Sequence, residues 1–350
     1  MIALQEADTH TLRTRTENTE VRMSLSHHRI TGMPGAPASS DATREMTAAE
    51  RQATIVAASQ AEKLRELWCQ ARDRARQAPS GSPAFARVAD LAAAFAAMAV
   101  RAGERQKAKA VVGDALKTLR AACLADRNDA PRHLALARTL ELAAAHEAAG
   151  GDARAAFDAL RAAIATVGPF ADRLRKPGTD AITRVAIASS LLRPIVTAAR
   201  MIDNADQRRM AYRQVWDEAR AWAKVAKGAP DHAAAVEMAV VAAFDLAAEE
   251  TAESASQCLE RCEELRPHIN SLQKVRGDDG VVRMHRAAFA RLSADAWSRL
   301  GDTSEAARLL REAAVHLDAA SRMPDADHAH LARQRTALDA QRAALEAVPA

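Results

Sequence analysis

Cys258 and Cys262 are the residues of this chain whose type and spacing come nearest to metal or redox chemistry. Four positions apart on a helix, they share one face. Two thiolates so placed could hold a cation or exchange a disulfide. A zinc site needs four ligands, however, and no second His or Cys pair stands at a supporting spacing. The pair therefore reads as buried, packing cysteine. The run Asp325-Ala326-Asp327-His328-Ala329-His330 also has the composition of a metal ligand set. It directly follows Pro324, where acidic residues favour a helix start, so capping is its expected role. His27-His28 lies in a polar N-terminal segment and is expected to be solvated. No cofactor and no metal is expected.

Tyr212, Trp216 and Trp222 form the densest aromatic group. On a helix Tyr212 and Trp216 share a face, and Trp222 is rotated away from them. Core packing is the first reading. If the group instead lined a groove, these three would be the anchors for a partner, because interface hot spots are rich in aromatic residues and Arg. They are the candidate partner-binding residues. Basic clusters occur at Arg72, Arg74 and Arg76, at Arg105, Lys107 and Lys109, and at Arg283, Arg286 and Arg291. Each is interleaved with apolar residues at helical spacing, which predicts solvated helix faces rather than a phosphate-tracking surface. The phosphate-loop, nucleophile-elbow, zinc-protease and dinucleotide fingerprints are all absent, so the chain is expected not to be an enzyme.

The elements that carry these residues are helical. Hydrophobic residues make up 49% of the 350 positions and aromatics only 3%, so much of the apolar content is alanine. Alanine is the best helix former, whereas strands want the β-branched and aromatic residues scarce here. The class is all-α. Net charge is +4, from 49 basic and 45 acidic side chains, too even a balance for the concentrated field of a nucleic-acid binder. The four cysteines lie far apart or on one helix, which does not suggest a disulfide framework. No apolar stretch reads as a membrane span and no secretory signal is visible, so a cytoplasmic location is expected.

Residues 1–40 are rich in Thr, Ser, Arg, Glu and His and are expected to be a disordered tail, since they offer little to bury. Residues 41–350 are expected to form a helical repeat domain. A long capping helix spans 41–78, with Ile55, Leu64, Leu67, Trp68 and Ala71 on one stripe. Hairpins fill 83–322, and a last helix runs over 325–346, giving about 11–12 helices. Pro194 lies inside a helix-patterned run and should kink or split it.

The division into hairpins rests on five short breaks. Gly103-Glu104 leads to Ala108, Gly151-Asp152 to Ala156, and Gly301-Asp302 to Ala306; weaker copies run from Ala205-Asp206 to Met210 and from Glu250-Thr251 to Ala255. They stand 48, 54, 45 and 51 residues apart (103 to 151, 151 to 205, 205 to 250, 250 to 301). A near-constant period of this size marks stacked helical hairpins. The pattern Gly151, Ala156, Leu160, Ala163, echoed by Gly103, Ala108, Val112, Ala115 and by Gly301, Ala306, Leu310, Ala313, resembles the tetratricopeptide repeat (TPR). In a fourth copy Ala255, Leu259, Cys262 and Pro267 fit the same pattern. The units here are longer than the usual ~34 residues, and the large aromatics expected in the first helix of each unit are mostly alanine.

That resemblance implies a right-handed stack of antiparallel hairpins, an α-solenoid, acting as a non-catalytic protein-interaction scaffold for a partner peptide or helix. Arg87, Arg138, Arg184 and Glu237 are expected to be exposed on the first helices. Two other readings compete: a helical-repeat nucleic-acid binder using the basic faces, and an α-helical enzyme without a recognisable motif.

Overall fold

The computed structural model describes residues 48–323 and 328–347. Among these the protein is all-α, with twelve α-helices and no strand. They are α1 (Ala48–Ala75), α2 (Ala84–Arg101), α3 (Arg105–Ala125), α4 (Ala130–Ala149), α5 (Ala153–Val167), α6 (Ala181–Ala199), α7 (Ala205–Val225), α8 (His232–Glu253), α9 (Ala255–Arg276), α10 (Gly280–Arg299), α11 (Thr303–Ser321) and α12 (His328–Glu346). A 3-10 segment, Gly168–Leu174, follows α5. The 1–40 tail and the Asp325–Asp327 part of the acidic run lie outside the described residues, as does the proposed start of α1 at residue 41.

The chain divides into two compact units. The first comprises α1–α5 and Ala186–Met201; the second comprises Leu174–Val185 and the described residues from Ile202 onward. In the first unit each helix from α1 to α5 packs on the next, and α2 also meets α4. In the second, α7 to α12 pack in the same sequential way, with α8 on α10 and α10 on α12. Within the units, the first helices α2 and α4, and α8, α10 and α12, thus touch one another as well as their own partners.

The three glycine breaks share one geometry. Gly103, Gly151 and Gly301 have φ of 77°, 84° and 88°, a left-handed conformation that costs glycine least. The N–H of Gly151 donates to the Ala148 carbonyl and that of Asp152 to the Glu147 carbonyl, at 3.0 and 2.9 Å. Gly103-Glu104 and Gly301-Asp302 repeat this pair of bonds on Val100 and Ala99 and on Ser298 and Trp297. This is the Schellman closure, which satisfies carbonyls left over at a helix end. Asp152 then serves the next helix, accepting the Ala155 N–H at 2.9 Å, as Asp302 does from Glu305. One residue closes one helix and opens the next.

Where no glycine marks the break, helix N-caps locate it instead. Asn204 accepts the N–H of Gln207 at 3.1 Å, and Ser254 that of Gln257 at 3.3 Å. The breaks assigned to Ala205 and Glu250 therefore shift to 204 and 254. Counted on the residues before the second helices (104, 152, 204, 254, 302), the spacings become 48, 52, 50 and 48. Four residues after these positions stand Ala108, Ala156, Arg208, Cys258 and Ala306; eight after stand Val112, Leu160, Tyr212, Cys262 and Leu310. All ten are buried. Of Met210 and Ala211, the two residues that the spacing offers for the small-residue site of the third copy, Met210 is 57% exposed and Ala211 only 1%.

Two further expectations are corrected. In α1, Ile55 and Leu67 are exposed, and the buried stripe is Ala57, Ala61, Trp68, Ala71 and Ala75. That stripe follows alternating three- and four-residue steps, with Leu64 half-buried between Ala61 and Trp68. Pro194 does not split α6, which runs unbroken through it. Pro267 likewise lies inside α9, which continues to Arg276 and stops at Gly277, φ 79°. Packing of the flanking turns outweighs the missing N–H in both helices.

Candidate functional site

The helix α7 positions the aromatic group, and Asn204 sets its register. Tyr212, Trp216 and Trp222 are all buried, with exposures of 2%, 4% and 1%. They are not surface anchors for a partner, and this corrects that reading. Tyr212 is buried eight residues after Asn204, as Val112, Leu160 and Leu310 are after Glu104, Asp152 and Asp302. The Trp222 indole N–H donates to Asp231 Oδ2 at 2.7 Å. Trp216 lies among cations: the Arg261 and Arg220 guanidiniums sit 4.9 and 5.9 Å from its ring, and the His268 ring meets it edge-on at 6.2 Å. Such contacts are worth roughly 0.5–1 kcal/mol each at partly exposed sites.

An aspartate recurs before four of the first helices. Asp129, Asp180, Asp231 and Asp279 each stand immediately before one of α4, α6, α8 and α10, spaced 51, 51 and 48 residues apart (129 to 180, 180 to 231, 231 to 279). Asp180 and Asp279 cap their own helices through the N–H groups of Thr183 and Val282. Asp129 and Asp231 reach back to earlier segments of the chain. Asp129 accepts the Gly81 N–H at 2.8 Å and pairs with Arg132 at 2.9 Å. Asp231 accepts two bonds from Arg184, at 2.7 and 2.9 Å, besides that of Trp222. The Arg184 guanidinium and then the indole hold the Asp231 carboxyl below its usual range, against burial, which raises it. Arg184, expected to be exposed, is 5% exposed.

Of the other surface candidates, Arg138 is exposed but bonded to Asp90 at 2.5 Å, and Glu237 is half-buried beside Arg276 at 3.1 Å. Arg87 is exposed. The first two basic clusters are largely neutralised. Arg72 meets Asp73 and Asp114, Arg76 meets Asp73, Lys107 meets Glu104, and Lys109 meets Glu147. Arg291 is buried, with its fork on the side-chain oxygens of Gln334 and Gln341 at 2.5 and 2.7 Å, and burial pulls its pKa down to about 10. A surface so paired offers few free cations for phosphate tracking.

The two cysteines on α9 are buried at 0% and 2% exposure. A hydrogen bond from Cys258 draws the Cys262 thiol below its usual range, and one from Ser293 adds to this; burial opposes both. Among the described residues no group of three His, Cys, Asp or Glu side chains is arranged to hold a metal ion. In the first unit, Glu141 on α4 keeps Oε1 sealed from water without a hydrogen-bond partner. Burial pushes its carboxyl up to about 7, moderated by Arg193 and Arg138. No sequence signal marked this residue, because its environment is made by a helix some fifty positions away. One described helix, Ala181–Ala199, is long and apolar enough to cross a membrane, and just over half of it (56%) is buried inside the fold.

These features define an all-α protein of capped helical hairpins with a recurring acidic residue before its first helices. No protein-family model, no curated protein and no solved structure matches the chain.

Proposed function

We propose that this chain is a non-catalytic interaction scaffold: a TPR-like solenoid of antiparallel hairpins that holds a peptide or helix of a protein partner. The observation that carries the reading is the double register. Second helices repeat the same buried positions four and eight residues after their starting residue, and the first helices α4, α6, α8 and α10 repeat an aspartate before their first turn. Units built alike and packed on their chain neighbours bury a continuous core and leave side chains of the first helices for recognition. Buried Tyr212, Trp216 and Trp222 belong to that core, so recognition falls to exposed polar residues such as Arg87 and the Asp90–Arg138 pair.

The test is a chemical cross-linking capture of full-length protein, followed by a binding measurement with the purified partner. The Kd should rise at least tenfold in the charge reversal Arg87→Glu or Arg138→Glu, with melting temperature unchanged. Turnover of a small molecule together with no partner that binds reproducibly would sink the proposal.

A further inference from the structure

On α10, Arg283 and Arg286 stand three residues apart and so share a face. Arg283 Nη1 donates to Nδ1 of His316 on α11 at 3.2 Å, and its Nη2 reaches Asp278. Arg286 Nη2 donates to the side-chain oxygens of Gln273 and Asn270 on α9. The Nε–H of each arginine is sealed from water with no acceptor. His316 is 7% exposed. Burial and then the two guanidiniums hold its imidazole below the usual histidine range, against the opposite pull of Glu312 and Asp278. Those carboxylates are already shared, Glu312 with Arg308 at 3.2 Å and Asp278 with Arg283. Arg286 meets only neutral oxygens, and both arginine side chains keep part of their surface open.

We propose that Arg283, Arg286 and His316 form a binding site for the phosphate group of a phosphomonoester. The site is rich in donors: two partly open guanidinium groups, Arg283 beside Asp278 and Arg286 beside neutral oxygens only, and an imidazole that gains a second N–H once protonated. A tetrahedral dianion supplies acceptors in several directions and enough charge to offset Arg286 and a protonated His316 together. Arg291, further along α10, is the contrasting case. It is 2% exposed and its fork is occupied by Gln334 and Gln341, so it is closed to a ligand. The phosphate site does not depend on the scaffold reading, and either can fail alone.

Full-length protein with inorganic phosphate as the probe tests it. The His316 imidazole is titrated by NMR at constant ionic strength, with chloride exchanged stepwise for phosphate. The expected result is a rise of His316 pKa by about one pH unit, since a bound anion favours the charged ring. O-phosphoserine should do the same and glutamate should not. Arg286→Gln should weaken phosphate binding at least tenfold, and Arg286→Lys, which keeps the charge, should weaken it less. An identical His316 titration in phosphate and chloride overturns the proposal, as does an equal response to glutamate. Phosphate affinity unchanged in Arg286→Gln means an adventitious ion only. If that variant does not fold, the wild-type titration and the Lys variant decide.

Discussion

Arg184 and Asp231, 47 positions apart in sequence, meet side by side in the second unit through two hydrogen bonds of 2.7 and 2.9 Å, both side chains almost wholly buried. The same carboxylate takes the Trp222 indole N–H. Three chain segments, the start of α6, the end of α7 and the turn before α8, are thereby tied at one carboxylate.

Removing that carboxylate leaves a buried guanidinium uncompensated. Asp231→Ala should destabilise by about 3–5 kcal/mol, the usual cost of breaking a buried pair from one side. Trp fluorescence during urea unfolding should report it through an earlier midpoint. The pH dependence has a definite sign. Asp231 is held below its usual range, so its contribution is complete above its unfolded pKa, about 4, and is lost as pH falls through the lower folded value. The variant should accordingly differ least from wild type in strong acid. An unchanged midpoint at neutral pH would remove the ion pair from the account of stability.

Glu141 has the opposite sign. Its folded pKa of about 7 lies above the unfolded value, so ionisation opposes folding increasingly as pH rises from roughly 4 to 7. Glu141→Gln should be nearly neutral at pH 4 and should stabilise by about 1–3 kcal/mol at pH 8, the scale of an unsatisfied buried polar group. Melting temperatures at the two pH values check this. Equal effects at both would show that Glu141 titrates normally.

The small-residue positions can be tested by overfilling. Ala156 is 1% exposed, whereas Arg154, two residues earlier, faces solvent. Ala156→Trp should cost about 1–3 kcal/mol by overpacking, and Arg154→Trp much less. Chemical unfolding of both variants makes the comparison. Similar midpoints would mean that the repeat register is not what spaces the helices.

Glu104 is the one starting residue among the five whose side chain makes no capping bond. Its carboxylate pairs with Lys107 instead. Glu104→Asp shortens the side chain to the length that caps at 152 and 302. It should stabilise the first unit by about 0.5–1 kcal/mol, while Asp302→Ala should lose about 1 kcal/mol from the second. A thermal melt of each variant decides, and a destabilising Glu104→Asp would contradict the cap argument.

What was legible in the sequence is local. Alanine-rich composition with few aromatics implied helices, and Gly103, Gly151 and Gly301 announced their breaks, because a left-handed residue and a cap within two positions need no tertiary partner. The buried positions after those three breaks followed from helical periodicity. At 204 and 254 only a capping Asn and Ser mark the start of the second helix, with no glycine before them, and there the glycine-based spacing slipped by one and four residues. Tertiary packing decided the rest. Exposure of Ile55 against burial of Ala57, continuity of helix through Pro194 and Pro267, and burial of Tyr212, Trp216 and Trp222 all depend on which face a neighbouring helix covers. The pairs Arg184–Asp231 and Arg283–His316 and the unpaired Glu141 oxygen arise between helices about fifty residues or less apart in sequence. Charge pattern along one helix carries no record of what the next one brings opposite it, so only the packed structure could set these groups together.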